Sequence, residues 1–312
     1  MRIGIDIMGG DFAPTLTIKG AILAKKELGD DLDLILIGDQ DIIANELKKE
    51  GESPSSFIIS HADDVIGMGE HPTKAFVKKP NSSIAKGFKL LAANEIDAFA
   101  SAGNTGAMLV GSMYTVKSIP GIIRPCITSA FPKENGKFTI LLDVGSNPDC
   151  KPDVLYQYAI LGSTYAEHVY QMDNPKVGLL NLGEEEEKGS ILTQATYQLM
   201  KDTTDFNFIG NVEGRDVFSP DVDVVVCDGF SGNILLKMAE SIYAMMAKRG
   251  LLDDYFSKFN YENYGGTPIL GINSNAIIGH GISNDIAILN MIKHANDVAK
   301  AELSKKLIEA VS

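Results

Sequence analysis

The stretch Val222–Lys237, VDVVVCDGFSGNILLK, decides how this chain is read. A β-branched apolar run stops at Asp228-Gly229, and Gly229 and Gly232 lead past Asn233 into an apolar segment of helical character. That is a buried strand delivering polar groups to a helix N-terminus, where backbone N–H groups and the helix dipole favour an anion.

The same design recurs outward from this segment. Short apolar runs occur at Ile3–Ile5, Leu34–Ile37, Phe57–Ile59, Ala98–Ala100, Thr139–Leu142, Val177–Leu182 and Phe208–Ile209. Helical patterns lie between them at Thr17–Leu28, Asp41–Glu50, Ser83–Asn94, Val154–Tyr170 and Ser190–Lys201. Such alternation predicts an α/β fold with a mostly parallel sheet and crossover helices on both faces. No low-complexity linker or repeat interrupts it, so residues 1–312 are read as a single α/β/α domain. Residues 233–262 are expected to form a protruding helical hairpin, because Ile234, Met238, Ile242, Met245 and Met246 recur at helical spacing and Gly250 can end that helix.

The residues just beyond each strand carry the chemistry. The strand ends read Asp6–Asp11, Ser101–Gly106, Asp143–Asn147, Asn181–Glu184, Asn211–Arg215 and Asp228–Asn233. In an open parallel sheet, ligands bind beyond the carboxyl ends of the strands. Any one such loop reads equally well as a turn or cap. Six of them with glycines for close approach and Asn, Ser, Thr or Asp for hydrogen bonding read as a site.

Composition narrows the classes. With 312 residues and 45% hydrophobic content a large core can be buried, and a net charge of −13 argues against nucleic-acid binding. Cys126, Cys150 and Cys227 show no CxxC spacing and read as free thiols of a reducing compartment. The N-terminus shows no signal peptide and no run is long enough to span a bilayer, so a cytoplasmic protein is expected. The five histidines, at 61, 71, 168, 280 and 294, show no ligand spacing, and no metal or other cofactor is expected. Gly67-Met-Gly69 is a poor dinucleotide fingerprint, and neither a P-loop nor a GxSxG elbow is present. The basic cluster Lys74, Lys78, Lys79, Lys86 and Lys89 suits a phosphate or an acidic surface as well as a solvated helix face. Cys227 ends an apolar strand with no adjacent cation and reads as an inert buried thiol.

The loops Asp6–Asp11, Ser101–Ala107, Leu142–Asn147, Asn181–Glu184, Glu213–Asp216, Asp228–Asn233 and Gly279–Gly281 resemble, in order, those of the PlsX family, the phosphate acyltransferases of bacterial phospholipid synthesis. The resemblance runs from residue 1 to about 290. It implies a Rossmann-like α/β/α sandwich related to phosphate acetyltransferases and isopropylmalate dehydrogenase-like folds. It also implies acyl transfer from acyl carrier protein to inorganic phosphate, a homodimer, and a cytoplasmic protein in peripheral contact with the membrane, where a downstream glycerol-phosphate acyltransferase is a possible partner. The chain departs from the family at Ser146, where Ala is frequent, at Ile282, which replaces the first of two serines, and at Val77 and Pro80, where basic or polar residues are frequent.

On this reading Lys188 and Asn233 are the catalytic candidates, supplying charge or a donor to the oxyanion of an attacked thioester. Asp6, Gly9, Gly10, Asp11, Ser101, Asn104, Thr105, Asn147, Arg215 and His280 are the substrate-binding candidates. Among them Asp6 and Asp11 are expected to orient donors, and His280 has carbonyl capping as its other role. Leu251 and Leu252, at the hairpin tip, are expected to contact the membrane. Two other classes remain: a metal- and nicotinamide-dependent hydroxyacid dehydrogenase, for which four arginines are few, and a non-catalytic membrane scaffold for lipid synthesis.

Overall fold

The computed structural model describes residues 1–29 and 32–312. In chain order the elements are β1 (Arg2–Asp6), α1 (Thr15–Leu28), β2 (Asp33–Gly38), α2 (Gln40–Lys49), β3 (Ile58–His61), α3 (Pro72–Lys78), α4 (Ser83–Ala92), β4 (Ala98–Ser101) and α5 (Thr105–Gly111). They continue with β5 (Cys126–Pro132), β6 (Phe138–Leu142), α6 (Pro152–Tyr170), β7 (Lys176–Leu180), α7 (Ile191–Met200), β8 (Asn207–Val212), β9 (Val224–Val226) and α8 (Gly229–Lys248). The last are β10 (Gly266–Leu270), β11 (Asn275–Gly279), α9 (Asp285–Lys300) and α10 (Leu303–Ala310).

These elements group into two compact units where the sequence marks no boundary. One comprises Met1–Ser118 and Tyr261–Glu302, the other Ile119–Asn260 and Leu303–Ser312. In the first, the strand order is β3-β2-β1-β4-β11-β10, all parallel except β10 against β11. In the second it is β5-β6-β9-β7-β8, all parallel except β5 against β6. The expected mostly parallel α/β architecture is therefore present in each unit.

The inner strands are buried along nearly their whole length, which is why β-branched runs such as Ile3–Ile5 and Val224–Val226 read as unbroken. Helix starts are fixed by side chains that accept backbone N–H groups: Asp39 for α2, Ser82 for α4, Asn104 for α5, Ser190 for α7, Asp228 for α8 and Asn284 for α9. Each such cap is worth about 1 kcal/mol. Gly20 on α1 lets α9 approach so closely that a Cβ there would lie 2.5 Å from Ile288.

The segment 233–262 is helical in its first arm only. Helix α8 runs to Lys248, and Gly250, with φ +68°, follows its C-cap. The return arm is a 3-10 turn over Phe256–Phe259, started by Asp253 Oδ1 accepting from the Phe256 N–H. Tyr255, Phe256 and Phe259 pack on one another, and Phe259 also packs on Phe218. The Tyr255 hydroxyl donates to Pro132 O, which ties this aromatic cluster to the end of β5. No helix among the described residues is long and apolar enough to cross a membrane.

Candidate active site

In the second unit the parallel strands β6, β9, β7 and β8 end on one edge of their sheet. Four of the sequence-read loops, at 143–147, 181–184, 211–215 and 228–233, therefore lie along that edge. Asn181 shapes the loop after β7: its Nδ2 donates to Lys188 O and its Oδ1 accepts from the Leu182 N–H. The Lys188 stem lies over Gly183, whose added Cβ would sit 3.0 Å from Lys188 Cγ. Lys188 is exposed, and its ammonium makes no ion pair among the described residues although Glu184–Glu187 precede it.

Asn233 stands in the second turn of α8, exposed, with its side chain against Gly145. The start of α8 differs from the expectation of open N–H groups. The Gly229 N–H donates to Asn147 O at 2.8 Å, and the Ser231 N–H to Asp228 Oδ1 at 2.8 Å. The cap is itself a carboxylate, and one turn on the exposed Asn233 side chain adds an amide donor.

The Asn147 side chain faces inward, its Nδ2 donating to Pro125 O, Ser146 Oγ and Asp143 Oδ2. Arg215 lies among carboxylates, 2.6 Å from Glu213, 3.1 Å from Glu184 and 3.8 Å from Asp216, with Glu213 doing most to push its pKa up. Those three acids cluster closely enough to hold a metal ion, and the Arg215 guanidinium offsets part of their charge. Burial pushes the Cys227 thiol well up, and Cys150, partly buried, is pushed up to about 11, so neither is set up as a thiolate nucleophile.

In the first unit a second cluster forms at the ends of β1, β4 and β11, where the strand order reverses beside β1. Asp6 is fully buried, and its carboxylate accepts from Ser101 Oγ at 2.7 Å and from the Met8 N–H at 3.0 Å. Burial raises its pKa against the opposing hydrogen bonds from Ser101, Ser83, Met8 and Gly9. Gly9 is wedged where a Cβ would lie 2.4 Å from Asp6 Oδ2 and 2.8 Å from Gly103 N, so only glycine fits. Gly10, at φ +109°, brings the loop to Gly281, whose carbonyl accepts from the Asp11 N–H at 2.7 Å.

Asn104 is a clamp: its Nδ2 donates to the carbonyls of Gly67, Met68 and Glu70, and its Oδ1 accepts from the Ala107 N–H. Ser101 is fully buried, its hydroxyl committed to Asp6. Asp11 and Thr105 are exposed at the same loops, and the His280 ring packs on Tyr261 with centroids 5.2 Å apart. The structure thus brings Asp6, Gly9, Gly10, Asp11, Ser101, Asn104, Thr105 and His280 together in one unit. It brings Lys188, Asn233, Asn147 and Arg215 to one sheet edge in the other. Of the lysine cluster, Lys79 pairs with Glu70 at 2.7 Å and Lys89 donates to Pro80 O, while Lys74 and Lys78 are exposed and Lys86 is half-buried.

Sequence reasoning passed over Asp143. It is fully buried below the Asn147 loop and accepts from the N–H groups of Ile127, Ser146 and Asn147 and from the Ser146 hydroxyl. An acidic residue directly after an apolar strand and before a glycine was the available signal.

Comparison with known proteins bears on the family and the fold. The profile of a family described as fatty acid synthesis protein matches residues 1–306. A phosphate acyltransferase of Dictyoglomus turgidum is 40% identical, covering 100% of this chain and 98% of that one. One from Geotalea daltonii is 42% identical, covering 99% and 94%. Among solved structures, a phosphotransacetylase from Streptococcus pyogenes superposes with a TM-score of 0.66 at 19% identity, covering 96% of this chain and 94% of that one. A 4-hydroxythreonine-4-phosphate dehydrogenase from Klebsiella pneumoniae gives 0.58 at 13%, covering 96% and 98%. These two likenesses concern the fold, which is that of the phosphotransacetylases and related dehydrogenases. By profile and by full-length identity, the chain belongs to the fatty acid synthesis protein family, the PlsX-type phosphate acyltransferases.

Proposed function

We propose that the chain transfers a fatty acyl group from an acyl carrier protein thioester to inorganic phosphate, giving acyl-phosphate for phospholipid synthesis. One observation carries the reading: at the neighbouring ends of β7 and β9, an ammonium without an ion-pair partner (Lys188) and an outward amide (Asn233) are offered on the same sheet edge. Hydrogen phosphate is anionic at neutral pH and needs placement rather than activation. A phosphate oxygen attacks the thioester carbonyl, the C–S bond breaks, and the phosphate proton passes to the departing sulfur. The products are acyl-phosphate and the carrier thiol. Lys188 holds the phosphate charge, and the Asn233 Nδ2–H donates to the carbonyl oxygen as it becomes an oxyanion. With the cysteine thiols held protonated, transfer is direct and forms no acyl-enzyme.

In the second unit Asn147 supports and Arg215 flanks the phosphate; within the first unit Asp6, Ser101 and Asn104 shape the loops that carry the binding candidates Gly9, Gly10, Asp11, Thr105 and His280. The exposed side chains of Ile234, Met238, Ile242 and Met245 on α8 suit a homodimer contact, and Leu251 and Leu252 a peripheral membrane contact near a downstream glycerol-phosphate acyltransferase. The test is to incubate the protein with an acyl carrier thioester and phosphate and assay acyl-phosphate. Lys188→Ala and Asn233→Ala should each lower turnover by about 100- to 1000-fold with the fold retained, whereas Cys227→Ala should keep most activity. Near-normal rates in either of the first two remove that residue from the mechanism. A trapped acyl-thioester on Cys227 overturns direct attack.

A further inference from the structure

The loop after β6 and the first turns of α8 interlock around one buried carboxylate. The Asp143 side chain accepts from the Ile127 N–H (3.1 Å), the Ser146 N–H (3.3 Å), the Ser146 hydroxyl (2.7 Å), the Asn147 N–H (2.6 Å) and Asn147 Nδ2 (3.4 Å). Every donor but the Ile127 N–H comes from the two residues after Gly145. The carboxylate therefore sets the path of the turn rather than merely burying a charge.

That turn is pressed against α8 at three places. The Gly229 N–H donates to Asn147 O, and an added Cβ on Gly229 would lie 2.6 Å from Asp143 Oδ2. Gly232 is seated on the Asp143 backbone, where a Cβ would lie 2.0 Å from Asp143 O. The Asn233 side chain rests on Gly145, where an added Cβ would lie 3.4 Å from Asn233 Oδ1 and 3.6 Å from Asn233 Cβ. Gly145 has φ +126°, a conformation open to glycine, and the donors on its C-terminal side are bound to Asp143. Ser146 closes the arrangement, since its hydroxyl donates to Asp143 Oδ1 and lies 2.9 Å from Asn147 Nδ2.

We infer that Asp143, with the Ser146 hydroxyl as its second tie, is a positioning residue for acyl transfer: it holds the Gly145 turn as the floor on which the Asn233 amide is aimed. Asp143 itself touches no substrate. The inference rests on the role given to Asn233 above. Ser146 is then a functional feature of this chain and not a neutral exchange for alanine, because it shares with two backbone N–H groups the work of fixing one carboxylate oxygen.

The test uses the full chain as Asp143→Asn and Ser146→Ala, each alone and combined with Asn233→Ala, with melting temperature, kcat and the KM for phosphate measured. Asp143→Asn keeps the shape but turns one acceptor into a donor facing N–H groups, so kcat should fall about 10- to 100-fold through misplacement. Ser146→Ala removes one neutral link, and kcat should fall about three- to tenfold. In both, kcat should fall by a larger factor than KM for phosphate rises, because Lys188, the cation assigned to phosphate, lies on the β7 loop and is not held by this turn. In the Asn233→Ala background neither change should lower kcat further, as expected of residues acting as a unit. Losses that add to that of Asn233→Ala overturn the inference, as does a lower melting temperature with unchanged kcat per folded molecule. Should Asp143→Asn fail to fold, the Ser146→Ala cycle decides by the same criteria. A wild type that makes no acyl-phosphate, or an Asn233→Ala variant as active as wild type, overturns the reading beneath and this assignment with it.

Discussion

Gly189 faces the Asn181 side chain so closely that a Cβ on it would lie 2.1 Å from Asn181 Oδ1 and 2.2 Å from Thr193 Oγ1. Its φ of +93° adds backbone strain for any other residue. Because Asn181 also holds the carbonyl of Lys188, a bulkier residue at 189 displaces the cation. Gly189→Ala is expected to lose turnover about as severely as removal of the ammonium, on the order of 100-fold or more. Its melting temperature should fall only slightly, since the loop is largely exposed. Steady-state assay with acyl carrier thioester and phosphate checks this, and a fully active variant would show that the loop tolerates a shifted Lys188.

The sequence made the central strands legible for a physical reason. A parallel strand covered on both faces shows as an unbroken apolar run, as at Leu34–Ile37 and Val224–Val226. The antiparallel strands hid: β5 mixes Thr128 and Ser129 into its run and ends on Pro132, and β10 carries Pro268 at its centre. Helices α3 and α5, seven residues each, are too short to show a period. Helix α9 was readable from its Asn284 cap and from Ala287, Ile288, Met291, Ile292 and Ala295, yet its pattern is diluted by alanine. At the site, glycines and caps mark where loops turn, which is how Lys188 and Asn233 become candidates. Which polar side chains face a ligand is set by partners remote in sequence. Asn104 binds carbonyls more than thirty residues away, and Asp143 binds the Ile127 N–H across a strand pair. No local pattern carries that information.

Lys133 is buried at the end of β5, its ammonium 2.5 Å from Asp223 Oδ1, while Asp223 Oδ2 accepts from the Lys176 N–H. Removing the acid leaves a buried cation without its counter-ion, which typically costs about 3–5 kcal/mol. Asp223→Ala should therefore unfold at clearly lower denaturant, and Lys133→Met combined with Asp223→Ala should recover part of the loss. Equal midpoints for wild type and Asp223→Ala would mean that the pair contributes nothing.

His294 on α9 is half-buried, and its desolvation pulls its pKa down from 6.5 to about 4. The neutral ring is thus the form the fold accepts. Above pH 6.5 both folded and unfolded states are neutral and the full stability is present. As pH falls from 6.5 to about 4 the unfolded state binds a proton first, and stability is lost by about 3 kcal/mol across that window. A His294→Leu variant should lack this part of the acid slope, whatever its stability at pH 7. Parallel stability–pH curves for the two proteins would contradict it.

The stretch after α8 leaves two leucines partly facing water: Leu251 is 52% exposed and Leu252 36%. Lys248, Arg249, Asp253 and Asp254 flank them, so the tip is apolar at its point and charged at its base. Burying two leucines in the acyl region contributes a few kcal/mol, roughly 1.5–3 for each, which gives reversible binding from one chain and firmer binding from two held together. Asp253 and Asp254 offset the pull of Lys248 and Arg249 on anionic lipid, so salt should weaken association only modestly. Wild-type protein is expected to co-sediment with liposomes of phosphatidylglycerol and phosphatidylethanolamine. A variant carrying Leu251→Glu and Leu252→Glu should stay in the supernatant while turning over soluble acyl carrier substrate at the wild-type rate. If that variant pellets with the liposomes as wild type does, the anchor lies elsewhere, and the exposed Ile234, Met238, Ile242 and Met245 on α8 become the next side chains to replace.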